Sequence, residues 1–141
     1  MFVLDTDHIA ILQWQTQPEY SRLQQRMQRH SPADLYYTIA SFHEQVMGAN
    51  TFINQAHSAQ GVQKGYQILE KIQNDYAQMQ VLPFDHGASS AFDSLRSQKV
   101  RIGTMDLRIA AIALSRNMIV LTRNLADFGR VPGLQVQDWT I

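Results

Sequence analysis

The pattern that most restricts this chain is a repeated pairing of a short apolar run with a longer stretch that carries apolar residues at helical spacing. The runs are residues 2–4, 35–39, 79–82 and 118–122, with a short fifth at 134–137. Each is too short for a helix that buries a stripe, so they read as strands. Strands alternating with helices predict an α/β fold with a mainly parallel sheet of roughly five strands. With 141 residues the chain can bury one substantial core, which predicts a single domain spanning 1–141.

The intervening helices are legible in outline. Asp7 is the expected cap of a short first helix, and Pro18 suits the first turn of a second one reaching His30. A third helix is predicted from Ala40 to about residue 50, followed by a mostly helical arm at 51–78, its start softened by Gly61 and Gly65. Asp85 can cap a helix bearing Ala88, Ala91, Phe92 and Leu95, and Gly103-Thr104 open another that runs to Arg116. There is no cysteine, which excludes disulfides and thiolate chemistry. Neither a signal peptide nor a membrane-spanning run is visible, so a soluble, cytoplasmic protein is expected.

In open α/β sheets, ligands bind beyond the carboxyl ends of the strands. Asp5 follows the first strand directly, Glu44 lies about one turn into the helix after the second, and Asp106 is in the first turn of the helix before the fourth. Asn124 and Asp127 follow the fourth strand. Taken singly, each has a plainer reading: Asp7 and Asp106 as acids at helix N-termini, with Thr104 as a cap, Glu44 as a surface residue, Asp127 as a turn residue. As a set they form an all-oxygen group whose mutual repulsion calls for a cation such as Mg²⁺ or Mn²⁺. Such an ion can activate water for phosphodiester cleavage.

Three stretches resemble the PIN-domain family: Leu4-Asp5-Thr6-Asp7; Glu44 with Gly48; and the run from Ile102 through Asp106 to Ala111. The ending Leu121-Thr122-Arg123-Asn124-Leu125-Ala126-Asp127-Phe128, continued by Val131-Pro132-Gly133-Leu134 and Asp138-Trp139, is its most specific part and is similar to the toxin nucleases of VapBC toxin–antitoxin systems. The resemblance covers nearly the whole chain, least diagnostically in the arm. It implies helices sandwiching a parallel sheet, Mg²⁺- or Mn²⁺-dependent endoribonuclease activity, and a cognate antitoxin. By position, Asp5, Glu44 and Asp106 match the family's three metal-ligating acids. The fourth position falls to Asn124 or Asp127. Two departures stand out: Asp7 where the family commonly has Asn, and Ala40-Ser41-Phe42-His43 before Glu44.

Competing chemistries fit less well. His43-Glu44 begins a zinc-protease H-E-x-x-H motif, but the second histidine is Met47. Asp5 and Asp7 resemble the opening of haloacid-dehalogenase-like phosphatases, yet Lys64, Lys71 and Lys99 do not stand before a late acidic pair as that family requires. A non-catalytic receiver-like domain would need a lysine ending its fifth strand, and none lies beyond residue 99.

Twelve basic residues balance twelve acidic ones overall, but between 96 and 130 seven cations face only Asp106 and Asp127. That local excess predicts contacts to RNA phosphates, with Arg101, Arg108 and Arg123 as candidates. Arg22, Arg26 and Arg29 share a helix face and read as solvated surface, and Trp14, Tyr36 and Tyr37 are candidates for base stacking. The stripe Val62, Tyr66, Leu69, Ile72 and Tyr76 either packs on the chain's own sheet or supplies a homodimer interface.

Overall fold

Burial alternates residue by residue along the central strands, so that each must be covered on both faces. Val3 and Val120 belong to one apolar core, while their neighbours Leu4 and Leu121 belong to another. The computed structural model describes residues 1–141 and contains β1 (Phe2–Leu4), β2 (Leu35–Thr38), β3 (Gln80–Leu82), β4 (Ile119–Leu121) and β5 (Val136–Gln137). All neighbouring pairs are parallel, in the order β3-β2-β1-β4-β5. Helices α1 (Thr6–Trp14), α2 (Glu19–Met27), α3 (Ile39–Gln55) and α4 (Ala59–Ala77) contribute to the core on one face. The other core is built mainly from α5 (His86–Ser97), α6 (Thr104–Ser115) and α7 (Leu125–Phe128). The most deeply buried helix is α6, whose Ile109 to Ala113 are wholly inaccessible. No helix is long and apolar enough to cross a membrane.

The helix starts differ from the sequence expectation in instructive ways. Helix α1 is capped by Asp5, not Asp7: the Asp5 carboxylate accepts the Thr6 N–H at 2.7 Å. Helix α6 begins at Thr104 as its first turn, with Gly103 in the cap position and no side-chain cap. Helix α3 starts at Ile39, because Thr38 and Ser41 form a buried reciprocal cap that ends β2 one residue early. The short α7 was not legible: one turn lacks periodicity, and only the Asn124 cap on the Asp127 N–H marks it.

The arm is a helical hairpin rather than a separate element. Helix α3 continues to Gln55, and Ser58 then caps α4. Gly65 does not soften α4. It lets the two helices meet, since a Cβ there would run into Ile53 Cγ1. The apolar stripe divides along its length: Ile72 and Tyr76 are buried core, whereas Tyr66 is 53% exposed. The arginine face on α2 is not merely solvated either. Arg22 donates to the Thr140 carbonyl, and Arg26 to those of Asp138 and Ile141, tying the C-terminal segment to the helix.

Candidate functional site

Asp5 leaves β1 at its carboxyl end with its backbone N–H still bonded to the Leu121 carbonyl at 2.9 Å. That places it between β1 and β4, where the sheet's connections diverge to either side. Its side chain is 5% exposed, held by the Thr6 N–H and by the Thr122 hydroxyl, which donates to Oδ2 at 2.8 Å. Burial pushes the Asp5 carboxyl up to about 7, and the charges of Asp7 and Asp106 push the same way against those two hydrogen bonds. Asp106 is half-buried and pushed up to about 6, first by burial and then by the charges of Glu44, Asp127 and Asp7. The carboxylates from the end of β1 and from α1, α3, α6 and α7 therefore act on one another at a single edge of the sheet.

Asp7 is treated differently by its surroundings. Burial would raise its carboxyl, but the donors outweigh it and hold it below the usual carboxylate range. His8 Nδ1 lies 2.8 Å from Oδ1, while the Arg123 N–H and the Thr122 hydroxyl donate to Oδ2 at 2.8 and 3.3 Å. The extra acid thus stays ionised among donors. His8 itself is fully buried, and its Nε2 accepts the Trp139 N–H at 3.2 Å. That bond leaves the ring proton on Nδ1, facing Asp7. Sequence reading missed both His8 and Thr122 as members of the site. Thr122 carried a signal, a hydroxyl directly after an apolar strand; His8 in an apolar stretch carried none.

The remaining acids are placed by their helices. Glu44 is half-buried on α3, whose orientation is set by the Thr38–Ser41 cap and the Tyr76 hydroxyl donating to Ser41. Gln45 and Gln13 exchange two amide hydrogen bonds, at 2.7 and 3.0 Å, fixing α3 against α1 beside Glu44. On α7, Asn124 Nδ2 donates to Asp127 Oδ2 at 3.0 Å, and Asn124 Oδ1 is occupied by the Asp127 N–H. Asp127 is the member of that pair whose charge reaches Asp106.

No three acidic or imidazole side chains close into a tight metal cage. The donor chemistry nevertheless fits a hard cation: every donor is oxygen, and two carboxyls are strained toward protonation by burial and mutual charge. Among the aromatic candidates, Tyr37 is buried against Tyr76 and is not free to stack on a base. Of the candidate cations, Arg123 is engaged 4.0 Å from Glu19. Arg101 and Arg108 have no carboxylate partner and line one groove beside α6.

Residues 2–134 match the family model described as PIN domain. A relative named ribonuclease VapC1, from Haemophilus influenzae strain R2866, is 30% identical over 142 aligned positions, covering 99% of this chain and 98% of the relative. The tRNA(fMet)-specific endonuclease VapC of Salmonella typhimurium is 33% identical over 75 residues, covering 50% of this chain and 57% of that relative. Among solved structures, VapBC-1 from nontypeable Haemophilus influenzae superposes with a TM-score of 0.77 at 26% identity, covering 99% of this chain and 98% of that one. The DNA-bound VapBC of Salmonella typhimurium gives 0.75 at 23% identity, over 98% and 97% of the two chains, a likeness of fold.

Proposed function

The chain belongs to the PIN-domain family, and from that premise we propose that it is the ribonuclease toxin of a toxin–antitoxin pair, hydrolysing RNA phosphodiester bonds with Mg²⁺ or Mn²⁺. The observation that carries this reading is the gathering of Asp5, Glu44, Asp106 and Asp127 at one edge, where, beside burial, the charges of Glu44 and Asp127 raise the Asp106 carboxyl and the charge of Asp106 raises Asp5. Asp5, Glu44 and Asp106 would hold the ion; Asp127, steadied by Asn124, is the fourth acid. When bound there, the cation would activate water and neutralise charge on the phosphate, and the family resemblance implies 5′-phosphate and 3′-hydroxyl ends.

The chain's own residues prepare that chemistry. Thr6 and Thr122 hold the two Asp5 oxygens in place. His8 anchors Asp7 and receives the Trp139 N–H, so the C-terminal segment braces the start of α1. The relatives in VapBC complexes support a protein antitoxin as the partner.

Purified protein should cleave single-stranded RNA with Mg²⁺ or Mn²⁺, lose activity in chelator, regain it with either ion and respond poorly to Zn²⁺. Sequencing the ends tests the product chemistry. Undiminished cleavage in excess chelator excludes the metal mechanism, and turnover of phosphomonoesters without RNA cleavage favours the phosphatase reading.

A homodimer is part of the same proposal, with its contact confined to the exposed part of the α3–α4 hairpin, where Met47, Phe52 and Tyr66 are uncovered. Light scattering should show Tyr66→Lys dissociating a dimer while the fold persists. Ile72→Lys should instead unfold the chain, because it buries an unpaired ammonium in the core.

A further inference from the structure

Seven basic residues lie between 96 and 130, and the structure sorts them into two groups. Three are paired with carboxylates: Arg116 with Asp85 at 2.8 Å, Arg130 with Asp127 at 3.8 Å and Arg123 with Glu19 at 4.0 Å. The other four, Arg96, Lys99, Arg101 and Arg108, have no carboxylate partner, and all four line one groove of about 550 Å³ between α5 and α6. No acidic side chain lines it. Unpaired cations converging on one concave surface repel one another, and an anion that spans them relieves this.

The groove is also aromatic. Phe92 forms part of its wall, the Arg96 guanidinium lies 5.7 Å from that ring, and the half-exposed Phe84 packs edge-on against Phe92 with centroids 6.0 Å apart. Cations tracking a backbone beside an aromatic surface are what single-stranded nucleic acid requires. The groove is tied to the acids through α6, which carries both Asp106 and Arg108. Two residues apart, these side chains project roughly 200° from one another around the helix, so acids and groove lie about one helix diameter (~10 Å) apart.

We propose that the α5–α6 groove is a second RNA subsite, in which Arg96, Lys99, Arg101 and Arg108 hold the phosphates of single-stranded RNA next to the scissile bond, while Phe92 and Phe84 offer a face for a base. The inference rests on the ribonuclease reading and extends it from the site of chemistry to the path of the strand. It assigns Arg96 and Lys99 a role in binding with none at the reacting phosphate.

The test uses the full chain carrying Asp106→Asn, so that binding is measured without turnover. Affinity for a fluorescent single-stranded RNA is followed against salt concentration. Adding Arg96→Ala and Lys99→Ala should flatten the dependence of log affinity on log salt by about 1.4, two phosphates at about 0.7 each. Lys64→Ala, on the distant α4, should leave that slope at the parental value. In the active chain, the same two groove substitutions should raise KM with little change in kcat. An unchanged slope in the double variant overturns the subsite, as does an equal fall in Lys64→Ala. A double variant that binds RNA normally but escapes its antitoxin also overturns it, by assigning the groove to a protein. Failure of the ribonuclease reading shows separately, as absence of RNA cleavage by the unsubstituted chain with Mg²⁺ or Mn²⁺.

Discussion

Asparagine in place of Asp106 is expected to lower RNA cleavage by well over the ~100-fold that loss of an outer partner of a metal ligand costs, and at the same time to stabilise the metal-free protein. The two effects have one cause. Asp106 is held among Glu44, Asp127 and Asp7, and its carboxyl is pushed up to about 6 by burial and by their charges. A neutral amide removes that repulsion along with the negative oxygen a cation needs. Because the side chain is half exposed, solvent screening reduces the gain to on the order of 1 kcal/mol, or about 2–4 °C in Tm for a chain of this size. Calorimetry in chelator and a cleavage assay with Mn²⁺ measure the two halves. Full activity in a folded Asp106→Asn protein would remove Asp106 from the site.

The second large effect is a dependence on pH with opposite signs for stability and metal affinity. The folded-state carboxyls of Asp5 and Asp106 lie at about 7 and about 6, above their ordinary value of 3.8. Their contribution to stability is therefore fully present below about pH 4 and is lost as pH rises through 6 and 7. Asp7, held low by its donors, works the other way at acid pH: its contribution is lost only as pH falls below its ordinary value. In chelator, the wild-type Tm should thus fall between pH 5 and 8, and less steeply in Asp106→Asn. Metal affinity and cleavage should rise across the same interval, because a cation competes with the protons on Asp5 and Asp106. At a concentration 100 times its Kd, Mg²⁺ or Mn²⁺ should restore about 2.7 kcal/mol at pH 8. A flat profile for metal affinity from pH 5 to 8 would contradict the assignment of Asp5 and Asp106 as ligands.

The structure also tells which sequence signals carried information. The strands were legible because they are buried on both faces, which demands uninterrupted apolar runs such as Phe2–Leu4 and Ile119–Leu121. The boundaries of helices were less so, since they depend on which of several competent side chains captures a free N–H. Asp5 and Asp7 are both capable caps for α1, and the choice of Asp5 follows from the strand position that already fixes its backbone. The stripe on α4 illustrates a different difficulty. Periodicity identifies an apolar face but not its cover, and here the sheet covers Ile72 and Tyr76 while leaving Tyr66 bare.

The sequence alone determined the α/β alternation and the acids that follow the strands, because strand burial and helical periodicity are local and leave a direct imprint on residue order. The tertiary structure decided how those acids differ. Asp5 and Asp7 are two residues apart and chemically identical, yet one is raised by burial and the other lowered by His8 and the Arg123 N–H. It likewise decided which cations remain free, since Arg116 and Arg96 look alike in the chain until Asp85 claims one of them. Both outcomes depend on desolvation and on partners brought from distant positions, and neither is written into the spacing of neighbours along the chain.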